Sequence, residues 1–97
     1  MAMIDQYVIV RTYSAGVFAG FLEAFEGKQA TIRNARRLWK WAGAASLSQL
    51  AQTGTSDPSN CKFPAEVDRI IVTEVIEILS VTEIAKDSIA EVAVWKI

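Results

Sequence analysis

The sequence contains no histidine, one cysteine and two prolines in 97 residues. Transition-metal sites need clustered imidazole, thiolate or carboxylate ligands, and Cys61 alone can form neither such a cluster nor an internal disulfide. No apolar run approaches the ~18 residues that a membrane-spanning helix needs. The first residues also lack the basic and apolar segments of a secretory signal. We therefore expect a cytoplasmic domain that uses neither a metal ion nor a cofactor.

The same absences argue against catalysis. Enzymes that cleave phosphodiesters use metal ions, paired histidines or a comparable acid–base set. Glu74 and Glu77 lie three residues apart in a strand-like run, which places them on opposite faces rather than as a carboxylate pair. Cys61 has no histidine to activate its thiol. The sequence therefore predicts a protein that is not an enzyme.

The length and composition are those of one folded domain. A chain of this size fits a single domain over residues 1–97, and a hydrophobic content of 52% disfavours disorder. That content is high for a lone domain this small. We therefore expect part of the apolar surface to be covered in a homo-oligomer.

Local patterns predict an α+β fold, with a mainly antiparallel β-sheet that starts as a meander and two short helices. Runs of β-branched and aromatic residues predict strands at 7–13, 17–22 and 29–33, one strand or two broken near Thr73 at 67–79, and a last strand at 92–97. Side chains at 34–42 alternate with a period of two, which favours a strand over a helix there.

Four short signals refine this outline. The segments Ser46–Gln49 and Ser80–Glu83 match the capping box that opens a helix. Gly20, inside a predicted strand, indicates a bulge or a close approach by another group. Gly54 suits the left-handed conformation that ends many helices.

The most unusual segment, residues 33–41, holds three arginines, one lysine and two tryptophans. Guanidinium groups match the geometry of phosphates, and indole rings stack on bases. We therefore predict that the arginines bind phosphates and that at least one tryptophan stacks on a base. Either tryptophan could instead belong to the core, where Trp is common. The predicted ligand-binding residues in this segment are Arg33, Arg36, Arg37, Trp39 and Trp41.

Neighbouring groups extend this predicted site. The N–H groups at the helix start that follows Gly43 can bind an anion, and a small-residue turn between aromatic residues lies at 13–18. Two alternatives stay open, because Ser46 can be an ordinary helix cap and the turn can be a hairpin corner. The additional predicted ligand-binding residues are Ser46, Ser48, Gln49, Tyr13 and Phe18.

The charge distribution narrows the class of ligand. Residues 1–40 carry six cations and three acids, whereas residues 41–97 carry four cations and eight acids. Proteins that bind long nucleic acids usually show a broad cationic stripe on a basic domain. One basic segment on an acidic body suits a compact anion better, so we expect a small-molecule ligand and no long nucleic acid.

Residues 7–20 and 34–51, with Val94–Lys96, resemble a family of small tailed-phage proteins. The segment Arg-Arg-Leu-Trp (36–39) followed by Gly-Ala-Ala-Ser-Leu-Ser-Gln-Leu (43–50) carries the resemblance. It implies a phage sponge of the anti-CBASS or anti-Thoeris kind, acting in the cytoplasm of the infected bacterial host. Such a protein would be an oligomer that sequesters cyclic oligonucleotides or cyclic ADP-ribose derivatives without cleaving them.

The leading expectation is thus a homo-oligomeric, non-enzymatic ligand-binding domain for cyclic nucleotide second messengers. An alternative is a protein that inhibits a host defence or CRISPR nuclease, with the Arg/Trp segment as its interface, since Trp and Arg are enriched at interface hot spots. Weak binding of single-stranded nucleic acid through the same groups is a third possibility.

Overall fold

The computed structural model describes residues 3–97, and residues 1 and 2 lie outside that range. It contains five strands in one sheet and two short α-helices, which confirms the α+β prediction. In chain order the elements are β1 Tyr7–Thr12, β2 Val17–Glu26, β3 Gln29–Arg37, α1 Leu47–Thr53, a 3-10 turn at Pro58–Asn60, β4 Val67–Val72, β5 Val75–Ser80 and α2 Glu83–Glu91. Within residues 3–97, no helix is long and apolar enough to cross a membrane.

The sheet has the strand order β4-β3-β2-β1-β5, with every neighbouring pair antiparallel. Strands β1 to β3 form the predicted meander, β4 pairs with the free side of β3, and β5 pairs with the free side of β1. Only Thr73 and Glu74 separate β4 from β5, although these strands form the two edges of the sheet. Three Cα–Cα steps reach at most about 11 Å, whereas the edges of a flat five-stranded sheet lie about 19 Å apart. The sheet must therefore curl until its edges approach each other.

The curled sheet is buried on both faces near β1, which explains the unbroken apolar run of that strand. Val8 and Val10 point into the concave face with Val72 and Val75 from the two edge strands. Ile9 points to the other face, which the helices cover. The buried cluster on that helical face consists of Ile9, Ala19, Leu38, Leu47, Leu50, Ala51, Cys61, Phe63, Ile89 and Val92.

A bulge interrupts the pairing of β2 with β3 beside Gly20. The pairing register shifts between Ala19 and Phe21 of β2, while β3 advances by one extra residue and Asn34 adopts a φ of 49°. A Cβ atom on Gly20 would lie 2.6 Å from Cγ2 of Ile32. The predicted role of Gly20 is therefore confirmed, since the position has both the bulge and the close approach.

The structure corrects two predicted elements. Ser80 was expected to open α2, but it is the last residue of β5 and pairs with Val8. Thr82 caps the helix instead, because its Oγ1 accepts a hydrogen bond from the N–H of Ala85 at 3.1 Å. The predicted strand at 92–97 is wrong: this segment makes only an isolated bridge through Val94.

The other predicted helices and strands differ from the structure mainly in their bounds. Ser46 caps α1 as expected. The strand predicted at 67–79 is two strands with a break at residues 73–74. The strand favoured at 34–42 continues only to Arg37, after which Lys40 makes a single bridge to Lys62. Phe63 makes a further isolated bridge, to Val94.

Candidate functional site

The three predicted phosphate ligands on β3 do not share one environment. Residues paired across an antiparallel sheet point to the same face, and the bulge pairs Arg33 with Phe21 and Arg37 with Phe18. Arg33 therefore lies over the Phe21 ring, with its Cζ 5.3 Å from the centroid. Its guanidinium group also lies 3.6 Å from Glu23 and 3.8 Å from Asp5. The fold thus brings acids to Arg33 that are distant in sequence.

Arg36 is buried, with 6% of its surface exposed. Its Nε donates to Pro64 O at 3.0 Å, its Nη1 to Ile89 O at 2.9 Å, and its Nη2 to Phe63 O and Val92 O at 3.0 and 2.7 Å. Four of the five N–H groups of the guanidinium group are therefore occupied by backbone carbonyls. Burial lowers the pKa of Arg36, since desolvation disfavours the charged form. This side chain joins the end of α2 to the segment before β4.

Arg37 and Phe18, both predicted ligand-binding residues, do come together. The Cζ of Arg37 lies 4.6 Å from the centroid of the Phe18 ring. They line a cleft of about 240 Å³ whose other walls are apolar, including Pro64 and Ile70. Within residues 3–97, Arg37 forms neither an ion pair nor a side-chain hydrogen bond.

The two tryptophans of the segment occupy different surroundings. Trp39 is 64% exposed, and its backbone N–H donates to Lys62 O at 3.1 Å. Trp41 is half-buried and packs against the core on the helical face. The predicted stacking role is thus sterically open to Trp39, while Trp41 adopts the alternative core position.

The polar residues at the start of α1 form a helix cap. Ser46 Oγ accepts from Gln49 N–H at 3.2 Å, and Gln49 Oε1 accepts from Ala45 N–H at 2.8 Å. Ser48 is exposed beside them. Tyr13, at the β1–β2 hairpin, is 77% exposed. It lines a cleft together with Lys28 of the β2–β3 turn. The predicted site residues are therefore distributed over several places rather than gathered in one pocket.

A cleft of about 380 Å³ lies between α2 and the face of β1 and β2 that carries Tyr7 and Phe21. A second cleft of about 370 Å³ adjoins it and shares Tyr7, Phe21 and Lys86. We call the first of these the aromatic cleft. Its lining residues are Tyr7, Phe21, Asn34, Arg36, Glu66, Lys86, Ala90, Val92 and Val94.

Two aromatic rings and one ammonium group form the centre of the aromatic cleft. Tyr7 and Phe21 are register partners on β1 and β2, and their rings meet edge to face with centroids 5.2 Å apart. Lys86 of α2 places its Nζ 5.0 Å from the Phe21 centroid and 5.8 Å from the Tyr7 centroid. Both distances are within the range of cation–π attraction.

Local sequence patterns did not identify these three residues. Tyr7 and Phe21 look like ordinary strand residues, and Lys86 looks like a solvated helix residue. The only available signal was indirect: a hairpin that pairs β1 with β2 sets the two rings side by side. The approach of α2 depends on tertiary packing, which periodicity does not report.

The polar groups of the aromatic cleft are mostly hydrogen-bond donors. Burial raises the pKa of Tyr7 to about 12, with a further upward contribution from Glu66 and an opposing one from Arg36. The phenol is therefore a neutral donor at physiological pH. Arg36 keeps one N–H beyond its four backbone bonds, and Lys86 adds an ammonium group. Glu66 supplies an acceptor for a ligand N–H group.

The raised pKa of Tyr7 leads to a test in alkaline solution. A group with a raised pKa binds its proton more tightly when folded, so its stabilising effect is present below pH ~10, the value for an unfolded tyrosine. This contribution is lost as the pH rises from about 10 toward 12. In the absorbance titration at 295 nm, we expect Tyr7→Phe to remove the transition with an apparent pKa of about 12. Loss of a transition near 10 instead would contradict the burial of this phenol.

Comparison with known proteins identifies the family. A family model described as Domain of unknown function (DUF6948) matches residues 5–89. The match covers most of the chain, so the protein belongs to this family. No match was found among curated proteins or among solved structures.

Proposed function

We propose that this member of the DUF6948 family binds cyclic nucleotide second messengers and sequesters them without cleavage. The ligands would be cyclic oligonucleotides or cyclic ADP-ribose derivatives, and the setting would be a phage anti-defence sponge in the cytoplasm of an infected bacterium. The observation that carries the proposal is the aromatic cleft, in which Lys86 lies above the paired rings of Tyr7 and Phe21.

The size and composition of the aromatic cleft suit a nucleotide. Small-molecule sites commonly have volumes of about 300–1,000 Å³ with apolar walls and a few placed polar groups, and this cleft measures about 380 Å³. Ring faces offer stacking to a base. The Lys86 ammonium group and the remaining N–H of Arg36 offer charge-assisted hydrogen bonds to a phosphate.

The cleft residues favour holding a nucleotide over cleaving it. Glu66 is the single carboxylate among the lining residues, and the sequence offers no imidazole. Arg36 cannot act as a proton donor in catalysis, because its guanidinium group is committed to backbone carbonyls and arginine stays protonated. Binding without turnover is therefore the chemistry that these groups support.

Calorimetry with a panel of cyclic di- and trinucleotides and cyclic ADP-ribose isomers tests the proposal. We expect at least one ligand to bind more tightly than about 10 μM, or roughly −7 kcal/mol. Lys86→Gln should weaken binding about 10- to 100-fold, because a charged hydrogen bond contributes roughly 1.5–3 kcal/mol. Lys28→Gln, which removes the same charge at the β2–β3 turn, should leave affinity unchanged. The absence of any affinity better than 10 μM, or equal effects of both variants, would overturn the proposal.

A homo-oligomer would bury apolar side chains that this protomer exposes. Large hydrophobic residues are exposed on both edge strands and on α2, and burying contiguous apolar surface is a common basis of association. Size-exclusion chromatography with light scattering, with and without nucleotide, gives the subunit number. The exposed side chains in question are Val67, Ile71, Ile76 and Ile84.

A second candidate function is inhibition of a host defence or CRISPR nuclease through the Arg/Trp segment. The exposure of Trp39, at 64%, favours it, because exposed tryptophans are frequent hot spots once a partner covers them. A stoichiometric host protein that is captured by the wild type and lost with Trp39→Ala would support this function. If Trp39→Ala captures the same protein as the wild type, the Arg/Trp segment is not the interface.

A further inference from the structure

A second cationic group lies outside the aromatic cleft, where Lys40 and Lys62 face each other across an isolated antiparallel bridge. The N–H of Lys40 donates to Lys62 O at 3.2 Å, and the N–H of Lys62 donates to Lys40 O at 2.7 Å. Residues opposed in this way carry their side chains on the same face, with Cβ atoms about 5 Å apart. Like charges at directly opposed positions destabilise the pairing.

No carboxylate compensates for this repulsion within the part of the chain from residue 3 to residue 97. The ion pairs there involve Arg11, Arg33 and Arg69, and neither lysine takes part. Lys62 instead places its Nζ 5.3 Å from the centroid of the Trp95 ring, and Trp95 is 37% exposed. Two ammonium groups and an accessible indole therefore lie on one surface.

The backbone beneath this group is held by the buried Arg36. Its guanidinium group donates to Phe63 O at 3.0 Å and to Val92 O at 2.7 Å, so it ties together the segments that carry Lys62 and Trp95. The N–H of Trp95 also donates to Phe63 O, at 3.0 Å. The two segments are thus fixed relative to each other before any ligand arrives, which lowers the entropic cost of binding.

We propose that Lys40, Lys62 and Trp95 form a second ligand site, separate from the aromatic cleft, for a nucleotide unit with its phosphate on the two lysines and its base on the indole. A phosphate accepts hydrogen bonds from both ammonium groups and removes their mutual repulsion. The indole provides the ring face on which a base stacks. Free nucleotides and strands of nucleic acid share this chemistry, and the probes below distinguish them.

Binding is measured by ¹H–¹⁵N NMR with three probes: sodium pyrophosphate, 5′-phosphorylated thymidine dinucleotide and a 12-residue oligothymidylate. We expect the dinucleotide to shift the Lys40 and Lys62 amides and the Trp95 indole N–H, with a Kd below about 1 mM. Pyrophosphate should shift the lysine amides alone and bind more weakly. If the oligothymidylate binds no more tightly per phosphate than the dinucleotide, the ligand is a free nucleotide. If it binds much more tightly per phosphate, the ligand is a strand of nucleic acid.

Lys40→Glu gives the sharpest test, because two readouts should move in opposite directions. Without ligand the variant replaces a repulsive pair by an attractive one, so its melting temperature should rise by about 2–4 °C. With the dinucleotide it should lose affinity at least 10-fold. The control Lys28→Glu makes the same change in net charge at the β2–β3 turn, and it should neither raise the melting temperature nor weaken binding.

Several results would overturn the second site. The first is that no probe gives a saturable shift at Lys62 and Trp95. The second is that Lys40→Glu binds the dinucleotide with unchanged affinity. The third is that pyrophosphate and the dinucleotide bind with equal affinity and shift Trp95 equally. The outcome is independent of the aromatic cleft, because Lys86→Gln should leave the Lys62 and Trp95 shifts intact. Failure of one site therefore does not imply failure of the other.

Discussion

Replacing Arg36 by alanine is expected to lower the free energy of unfolding by about 3–5 kcal/mol, because hydrogen bonds from a charged donor contribute roughly 1.5–3 kcal/mol each and several are lost together. The reason is the number of groups that lose their partner. Four backbone bonds, to the carbonyls of Phe63, Pro64, Ile89 and Val92, end on this one side chain. Phe63 O and Ile89 O keep a second donor, the N–H groups of Trp95 and Val92. Within residues 3–97, Pro64 O and Val92 O depend on Arg36 alone, and each would cost roughly 1–3 kcal/mol when left without a donor unless water reaches it.

The guanidinium group of Arg36 also supplies hydrogen bonds at places where regular secondary structure ends. The carbonyls of Ile89 and Val92 lie at the end of α2, where the regular hydrogen bonds of the helix stop, although Ile89 O also accepts from the N–H of Val92 at 3.2 Å. Phe63 and Pro64 belong to the irregular segment before β4. Arg36 thus closes a helix end and anchors a loop at the same time, which a mobile lysine with three donors on one nitrogen cannot reproduce.

Urea denaturation of three variants measures this effect. Arg36→Ala should show the full loss, and Arg36→Lys should recover less than half of it. The matched control is Arg37→Ala, one position along β3, which should change stability by less than about 1 kcal/mol because the Arg37 side chain makes no hydrogen bond within residues 3–97. If Arg36→Ala were as mild as Arg37→Ala, the carbonyls would have to be satisfied by water.

The buried position of Arg36 shows why the candidate site was harder to predict than the fold. Sequence reasoning treats residues 33–37 as a regular strand, in which the face of each side chain follows from counting. The bulge at Asn34 adds one residue to β3, so that Arg33 and Arg36 share the face of Ala19 and Phe21 while Arg37 takes the opposite face. In a regular strand Arg33 and Arg37 would share a face and Arg36 would lie on the other, so the inserted residue changes which two arginines lie together, and no local pattern except Gly20 signalled it.

Features decided within a few residues were predictable. The meander β1–β3 follows from β-branched runs and turn residues, and the cap of α1 follows from Ser46 and Gln49. The segment 92–97 shows the limit of that approach. Its apolar alternation favours a strand, but the carbonyl of Val92 is occupied by Arg36 and the N–H of Trp95 by Phe63. Hydrogen bonds to residues distant in sequence therefore occupy backbone groups that a further strand would need.

Gly54→Ala is expected to destabilise the protein by about 2–6 kcal/mol, the sum of backbone strain of roughly 1–3 kcal/mol and overpacking of similar size. Gly54 ends α1 with φ 77° and ψ −157°, a region that is almost restricted to glycine. The sequence predicted a positive φ here, although in the left-handed helical region rather than in this extended one. Its N–H donates to Leu50 O at 3.0 Å, so the residue cannot simply rotate away.

The second contribution comes from the contact between the two helices. A Cβ atom on Gly54 would overlap the Cβ and Oγ atoms of Ser88 in α2. Ser88 Oγ accepts a hydrogen bond from the N–H of Thr55 at 3.0 Å, which holds the serine where the new methyl group would lie. Accommodating alanine therefore requires the end of α1 to move away from α2.

Gly16→Ala separates the two contributions. Gly16 also has a positive φ, of 99°, but a Cβ atom there would meet nothing within 4 Å. This variant should therefore show backbone strain alone, about 1–3 kcal/mol in urea denaturation, and Gly54→Ala should exceed it by the cost of the overlap with Ser88. Because α2 carries Lys86 above the rings of Tyr7 and Phe21, a displaced α2 should also weaken ligand binding in Gly54→Ala but not in Gly16→Ala. Equal losses of stability in the two variants, with equal ligand affinity, would mean that the helices adjust independently and that α2 is not positioned by its contact with the end of α1.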